Sequence, residues 1–120
     1  MNNENSYSVI LPTLNEAGHI NSLIKDISYN FEKFNIEYEI IIVDDNSTDG
    51  TVEKISKIKN PSIIIHKRKD KKKSLVDSLN EGINFANKNN IIWMDADYSH
   101  PPNYIEQFIK LKNNNLDLIV

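Results

Sequence analysis

A chain of 120 residues has room for one domain around one hydrophobic core. With 39% apolar and 26% charged residues it has the makeup of a globular protein, and a formal net charge of −3 gives no cause to expect nucleic acid as a partner. The absence of cysteine excludes disulfides and thiolate metal sites, and no apolar run approaches the ~20 residues that span a bilayer. The amino terminus, Met1 to Ser6, is polar and lacks the basic-then-apolar pattern of a secretory leader. The expected location is therefore the cytoplasm or the cytosolic face of a membrane.

Strand and helix signals alternate along the whole chain. Ser8-Val9-Ile10-Leu11 reads as a first strand stopped by Pro12. From Ala17 to about Phe34, the apolar residues Ile20, Leu23, Ile24, Ile27, Phe31 and Phe34 fall at three- and four-residue steps, one stripe on one helical face. Glu39 to Val43 is a β-branched run suited to a strand covered on both faces, and it ends in Asp44-Asp45-Asn46-Ser47-Thr48-Asp49-Gly50. A helix from about Thr51 turns Val52, Ile55 and Ile58 inward and closes at Pro61. Ile63 to Ile65 is the third strand, followed by the basic stretch Lys67 to Lys73. Ser74 and Asp77 have capping-box spacing at the head of a helix carrying Leu75, Leu79, Ile83 and Ala86. Ile91 to Met94 is the fourth strand, and Pro101-Pro102 precedes a last helix with Ile105, Phe108 and Ile109. Leu116 to Val120 opens a fifth strand, where the chain reads as truncated. The expectation is a single α/β domain over residues 1–120, a three-layer, parallel-rich sheet with helices on both faces.

In open sheets of this kind, ligands bind outside the carboxyl ends of the strands. Acidic residues stand at three such ends: Glu16, Asp44-Asp45 and the pair Asp95 and Asp97. Asp95 and Asp97 lie at i and i+2, so in an extended segment both side chains leave on one side and can face one hard cation. Mg²⁺ or Mn²⁺ suits oxygen donors of this kind, bound through one or two carboxylates plus substrate phosphates. The plain alternative is that Asp95 ends a strand and Asp97 caps a turn. Asp44 and Asp45 are adjacent and point to opposite faces, so one can brace the loop while Asp45 accepts from a ribose hydroxyl or a base N–H. Ser47, Thr48 and Asp49 read as turn and helix-capping residues, with Gly50 free to take positive φ. The lysine run reads as a solvated loop. His19, His66 and His100 are isolated, with His100 nearest the acidic pair.

Four stretches together carry a family resemblance: Ser8 to Glu16 (Ser-Val-Ile-Leu-Pro-Thr-Leu-Asn-Glu), Ile42 to Thr51, Met94 to Pro102 (Met-Asp-Ala-Asp-Tyr-Ser-His-Pro-Pro) and Leu116 to Val120. In order and spacing the chain resembles the family 2 inverting glycosyltransferases of GT-A fold. Asp-Ala-Asp followed by Ser-His-Pro-Pro is similar to the polyprenyl-phosphate (dolichyl-phosphate) mannose synthase branch. The resemblance implies that Pro12, Leu14, Glu16, Val43 and Asp45 line a nucleotide pocket. It also implies that Asp95, Ala96 and Asp97 hold the diphosphate and its Mg²⁺ or Mn²⁺, with Asp95 and Asp97 as the catalytic carboxylates. GDP-mannose would be the donor and a polyprenyl phosphate at a membrane the acceptor.

Three positions depart from that pattern: Leu14 stands where the family usually has Tyr, and Ser74 and Val76 stand where this branch has glycines. Two related readings are a UDP-sugar donor on the same fold and a nucleotide-sugar-binding fragment without turnover. A response-regulator receiver is excluded, because its acidic pair follows the first strand, and here that strand runs into Pro-Thr-Leu-Asn-Glu.

Overall fold

The structure, a computed structural model, describes residues 5–68, 72–97 and 104–113, with side chains to residue 111. Strands β1 (Ser6–Thr13), β2 (Glu37–Asp44), β3 (Ile63–Lys67) and β4 (Asn90–Trp93) alternate with helices α1 (Ile20–Lys33), α2 (Thr51–Ser56), α3 (Leu75–Phe85) and α4 (Tyr104–Asn113). The four strands pair in parallel in the order β3-β2-β1-β4. The fifth strand expected from Leu116, and the Pro101-Pro102 helix start, lie outside the described residues.

Parallel strands are covered on both faces, and their sequences show it. Seven of the eight β2 residues are buried. Val9, Leu11, Ile40 and Ile42 point to one face, where α1, α2 and α4 bring Ile20, Leu23, Ile24, Ile27, Phe31, Ile55, Ile105 and Ile109. Phe31 is the hub of that layer, stacked on Tyr38 at 5.2 Å between ring centroids and tilted against Tyr7 at 5.3 Å. Ile10, Ile41 and Val43 point to the other face and meet Leu79 of α3 and Ala86 just after it. Helices thus occupy both faces of the sheet, as expected.

Two local expectations change. Pro12 does not end the first strand, which runs on to pair Thr13 with Asp44. The Ile10 carbonyl accepts from Met94 N–H just past β4 and the Thr13 carbonyl accepts from Asp45 N–H just past β2. By that alternation the Pro12 nitrogen faces the β4 side, where the last paired residues are Ile10 and Trp93, so its missing N–H costs no ladder bond. The apolar stripe of α3 is also not its buried stripe. Leu75 and Ile83 are 51% and 47% exposed, while Ser78 and Gly82 are the buried residues.

Small residues there let α3 lie close on the sheet. A Cβ added to Gly82 would stand 2.6 Å from Ile10 Cγ2 and 3.1 Å from Val43 Cγ2. Helix α3 is further tied through its exit. Glu39, buried on β2, accepts from Ser8 Oγ at 2.6 Å and from Asn87 N–H at 2.7 Å, and Ser8 Oγ accepts from Lys88 N–H at 3.1 Å.

Gly82→Ala sets two effects against each other. Helix propensity favours alanine by about 1 kcal/mol, and overpacking a tight contact costs about 1–3 kcal/mol. Both neighbours are fully buried β-branched side chains with little room to turn. The variant is expected to be less stable by about 1 kcal/mol, seen as a lower urea midpoint at unchanged slope. A higher midpoint would mean that α3 does not rest on Ile10.

Candidate functional site

Because all four strands are parallel, their carboxyl ends gather at one edge of the sheet, and an open cleft of about 330 Å³ lies there. The end of β1 contributes Pro12, Thr13, Leu14 and Glu16; the end of β2 contributes Asp45; the end of β4 contributes Asp95, Ala96 and Asp97. Lys73, Ser74, Leu75 and Ser78 from the start of α3 complete the wall. Seven of the eight residues expected to bind substrate therefore share one cleft. Val43 does not: its side chain is fully buried in the layer beneath α3. Val43 lies inside β2 on the same side as Ile41, where α3 covers the sheet, whereas Asp45 stands past the end of the strand.

The two loops at the β1 and β2 ends hold each other in place. Asp44, buried, accepts from Thr13 Oγ1 at 2.7 Å, from Ser47 Oγ at 2.6 Å and from Ser47 N–H at 2.8 Å. Asn15 N–H donates to Ser47 Oγ at 2.8 Å, and Asn15 Oδ1 accepts from Thr48 N–H at 2.8 Å. Glu16 N–H donates to Thr51 Oγ1 at 3.0 Å and Ala17 N–H to Asp49 Oδ2 at 3.1 Å. The residues read as turn and capping groups thus mostly brace the neighbouring loop. Helix α2 begins at Gly50, with φ +91° and no side-chain cap. Asn15 and Asn46 also adopt positive φ, +56° and +67°, a conformation that asparagine tolerates better than most residues. Three donors meet the Asp49 carboxylate, the Thr51 hydroxyl foremost, and hold it below its ordinary range. Glu16 also meets His19, whose Nε2 lies 3.0 Å from Glu16 Oε2.

Asp45 points the opposite way from Asp44, into the cleft and toward α3. Its Oδ1 accepts from Arg68 Nη1 at 2.7 Å and its Oδ2 from the Ser74 N–H at 2.9 Å. Arg68, one residue past β3, is only 2% exposed. Its Nε donates to Glu81 Oε2 of α3 at 2.5 Å, and Glu81 Oε1 meets His66 Nε2 at 2.9 Å. The hydrogen bond to Glu81 raises the Arg68 pKa first, the charges of Asp45 and Glu81 add to it, and burial opposes them. A buried guanidinium between two carboxylates was not expected from a basic run read as solvated loop. The signal was there: of fourteen basic residues only Arg68 is arginine, the side chain suited to a buried fork. Residues 69–71 of that run lie outside the described residues.

Ser74 adopts an extended conformation, φ −160°, and its hydroxyl caps α3 by accepting from Asp77 N–H at 3.1 Å. The backbone at Ser74 therefore requires no glycine. Asp95 is partly buried and Asp97 exposed, both on the cleft wall. Burial, with the Asp95 charge second, pushes the Tyr104 phenol at the start of α4 above its ordinary value. Among the described residues no group of three or more His, Asp or Glu side chains gathers as a metal cage. Two carboxylates on one cleft wall suit a hard cation that takes its remaining oxygens from phosphate and water, the habit of Mg²⁺ and Mn²⁺. His100 lies outside the described residues. No helix among them is long and apolar enough to cross a membrane.

Residues 8–120 match the family model described as glycosyl transferase family 2. The dolichol-phosphate mannosyltransferase of Pyrococcus furiosus is 34% identical over 94% of this chain and 32% of its own length. A mannosyltransferase from Pyrobaculum calidifontis, solved with GDP-Man and Mn²⁺, superposes with a TM-score of 0.62 at 25% identity, over 76% of this chain and 27% of that one. S. aureus TarS has the same fold, with a TM-score of 0.76 at 22% identity over 91% of this chain and 32% of that one. The chain thus spans about a third of the length of such relatives. Its parallel α/β fold is that of the GT-A glycosyltransferases, and the chain belongs to glycosyl transferase family 2.

Proposed function

We propose that this chain forms the nucleotide-sugar-binding part of an inverting mannosyltransferase that uses GDP-mannose and a polyprenyl phosphate, with Mg²⁺ or Mn²⁺. The observation that carries the reading is the single cleft shared by Glu16, Asp45, Asp95 and Asp97 from three separate strand ends. The named relatives add the donor and the acceptor class, since a dolichol-phosphate mannosyltransferase and a GDP-Man complex stand among them.

The chemistry makes modest demands on protein groups. A phosphate monoester has its second pKa near ~6 and is largely ionised at neutral pH. Its oxygen can attack the sugar C1 from the face opposite the diphosphate, forming the new C1–O bond as the bond to GDP breaks, with inversion at C1. Asp45 offers acceptor lone pairs to ribose hydroxyls or base N–H groups from a fixed position. Leu14 and Pro12 exclude water from one side of the base. Asp95 and Asp97 hold the cation, which when bound offsets the charge gathering on the departing diphosphate. Lys73 stands on the same wall and adds positive charge close to the phosphates.

In calorimetric titrations, GDP is expected to bind the chain more tightly with Mn²⁺ present. Asp97→Ala should erase that gain while leaving weak metal-free binding in place. Asp45→Ala should weaken GDP about tenfold or more with or without metal, the loss of a charge-assisted hydrogen bond of about 1.5–3 kcal/mol. Titration curves identical to the parent for both variants would refute the cleft as the nucleotide site. For the donor, thermal-shift ranking with Mn²⁺ should place GDP-mannose above UDP-glucose; the reverse order would assign a UDP-sugar instead. Transfer of radiolabelled mannose to a polyprenyl phosphate tests whether the 120-residue chain turns over by itself.

A further inference from the structure

Asp45 enters the cleft with both oxygens already engaged by the protein, one by Arg68 and the other by the Ser74 N–H. Their arrangement is directional. Arg68 Nη1 approaches Oδ1 from behind the cleft wall, and its Nε is anchored on Glu81 of α3. Nη1 also lies 3.3 Å from the Lys72 carbonyl, 3.5 Å from the Ser74 carbonyl and 3.4 Å from Ser78 Oγ. One guanidinium therefore joins the ends of β2 and β3 to the first turns of α3. It does so from a buried position, 2% exposed, and it is not among the residues that line the cleft.

We propose that Arg68 is the positioning residue of this cleft: it sets the plane and the remaining lone pairs of Asp45 without touching the ligand. The proposal rests on the nucleotide reading of the cleft and extends it to a group outside the pocket wall. The physical reason lies in the fork. Two nitrogens of one rigid plane hold two carboxylates at fixed separation, whereas a lysine ammonium is a single point charge on a flexible stem. Left with only the Ser74 N–H, the Asp45 carboxylate could rotate about its last torsion, which is intrinsically broad. Each acceptor lone pair would then meet its ribose or base donor for only part of the time.

A double-mutant cycle on GDP binding with Mn²⁺ tests this, using Arg68→Lys, Asp45→Asn and the pair together. Arg68→Lys keeps the charge, and it is expected to weaken GDP about tenfold while the cooperative melt is retained. The double variant should bind no worse than Asp45→Asn alone, because Arg68 acts only through Asp45. Losses that multiply, or parent-like affinity in Arg68→Lys, would overturn the proposal and leave Arg68 as a support for α3. Amide hydrogen exchange gives a readout that needs no nucleotide. The Ser74 amide should be protected in the parent and exposed in Arg68→Lys, with Glu81 and Ile83 amides of α3 still protected. An unchanged Ser74 amide overturns the positioning role even if GDP fails to bind the parent, a failure that would count against the nucleotide reading instead. Should Arg68→Lys not fold, Glu81→Gln touches the same guanidinium from outside the cleft. It is expected to weaken GDP about threefold, and parent-like affinity there would also overturn the role.

Discussion

Strand parallelism is the constraint from which the rest of this structure follows. Every crossover returns the chain to the same end of the sheet, so each strand delivers its last residues to one edge. Residues 16, 45 and 95 are far apart in sequence, yet they face one cleft for this reason alone. The burial that enforces parallelism is two-sided. It demands an unbroken apolar run in β2 and allows polar groups to collect only where the strands stop. Chemistry is thereby confined to the strand ends.

Gathering carboxylates at one edge is costly unless each is met by a partner. The three sites resolve this differently. Asp44 is met by two hydroxyls and a backbone N–H, a neutral arrangement that locks the loop. Asp45 is met by a buried cation, whose own charge is shared with Glu81. Asp95, partly buried, and Asp97, exposed to water, stand past the end of β4. A buried ion pair of the Arg68 kind is weak grounds for stability, because desolvation offsets much of the attraction. Its value here is geometric, holding one carboxylate in one orientation.

The face covered by α3 is built on different lines from the face covered by α1, α2 and α4. Large apolar side chains interlock on the latter around Phe31. On the former, Ser78 and Gly82 allow close approach, and Val76, Ile83 and Ile91 remain exposed beside an apolar groove of about 210 Å³. Close approach brings the α3 amino terminus within reach of Asp45, so the packing of a glycine two turns further along sets the geometry of the cleft wall. The link from packing to function runs through α3 as a rigid body.

Sequence alone determined the element order, the parallel sheet and the strand ends that carry chemistry. Those features are written in local patterns: β-branched runs, helical stripes and acidic residues placed directly after apolar runs. Of the eight residues it assigned to the pocket, seven line the cleft, since motif spacing reports strand ends faithfully. What it could not place were contacts whose partners are distant along the chain. Val43 was assigned to the pocket by the family resemblance, yet it lies inside β2, where its side chain packs beneath α3. Arg68 was read as part of a solvated run, because periodicity is silent on a single polar residue past a strand end. Only the packing of α3, with Glu81 and Asp45 converging from different elements, decided that this one arginine is buried. Ile83 and Leu75 showed the same limit in reverse. A helical stripe says which residues share a face, and tertiary structure decides whether that face meets the sheet or water.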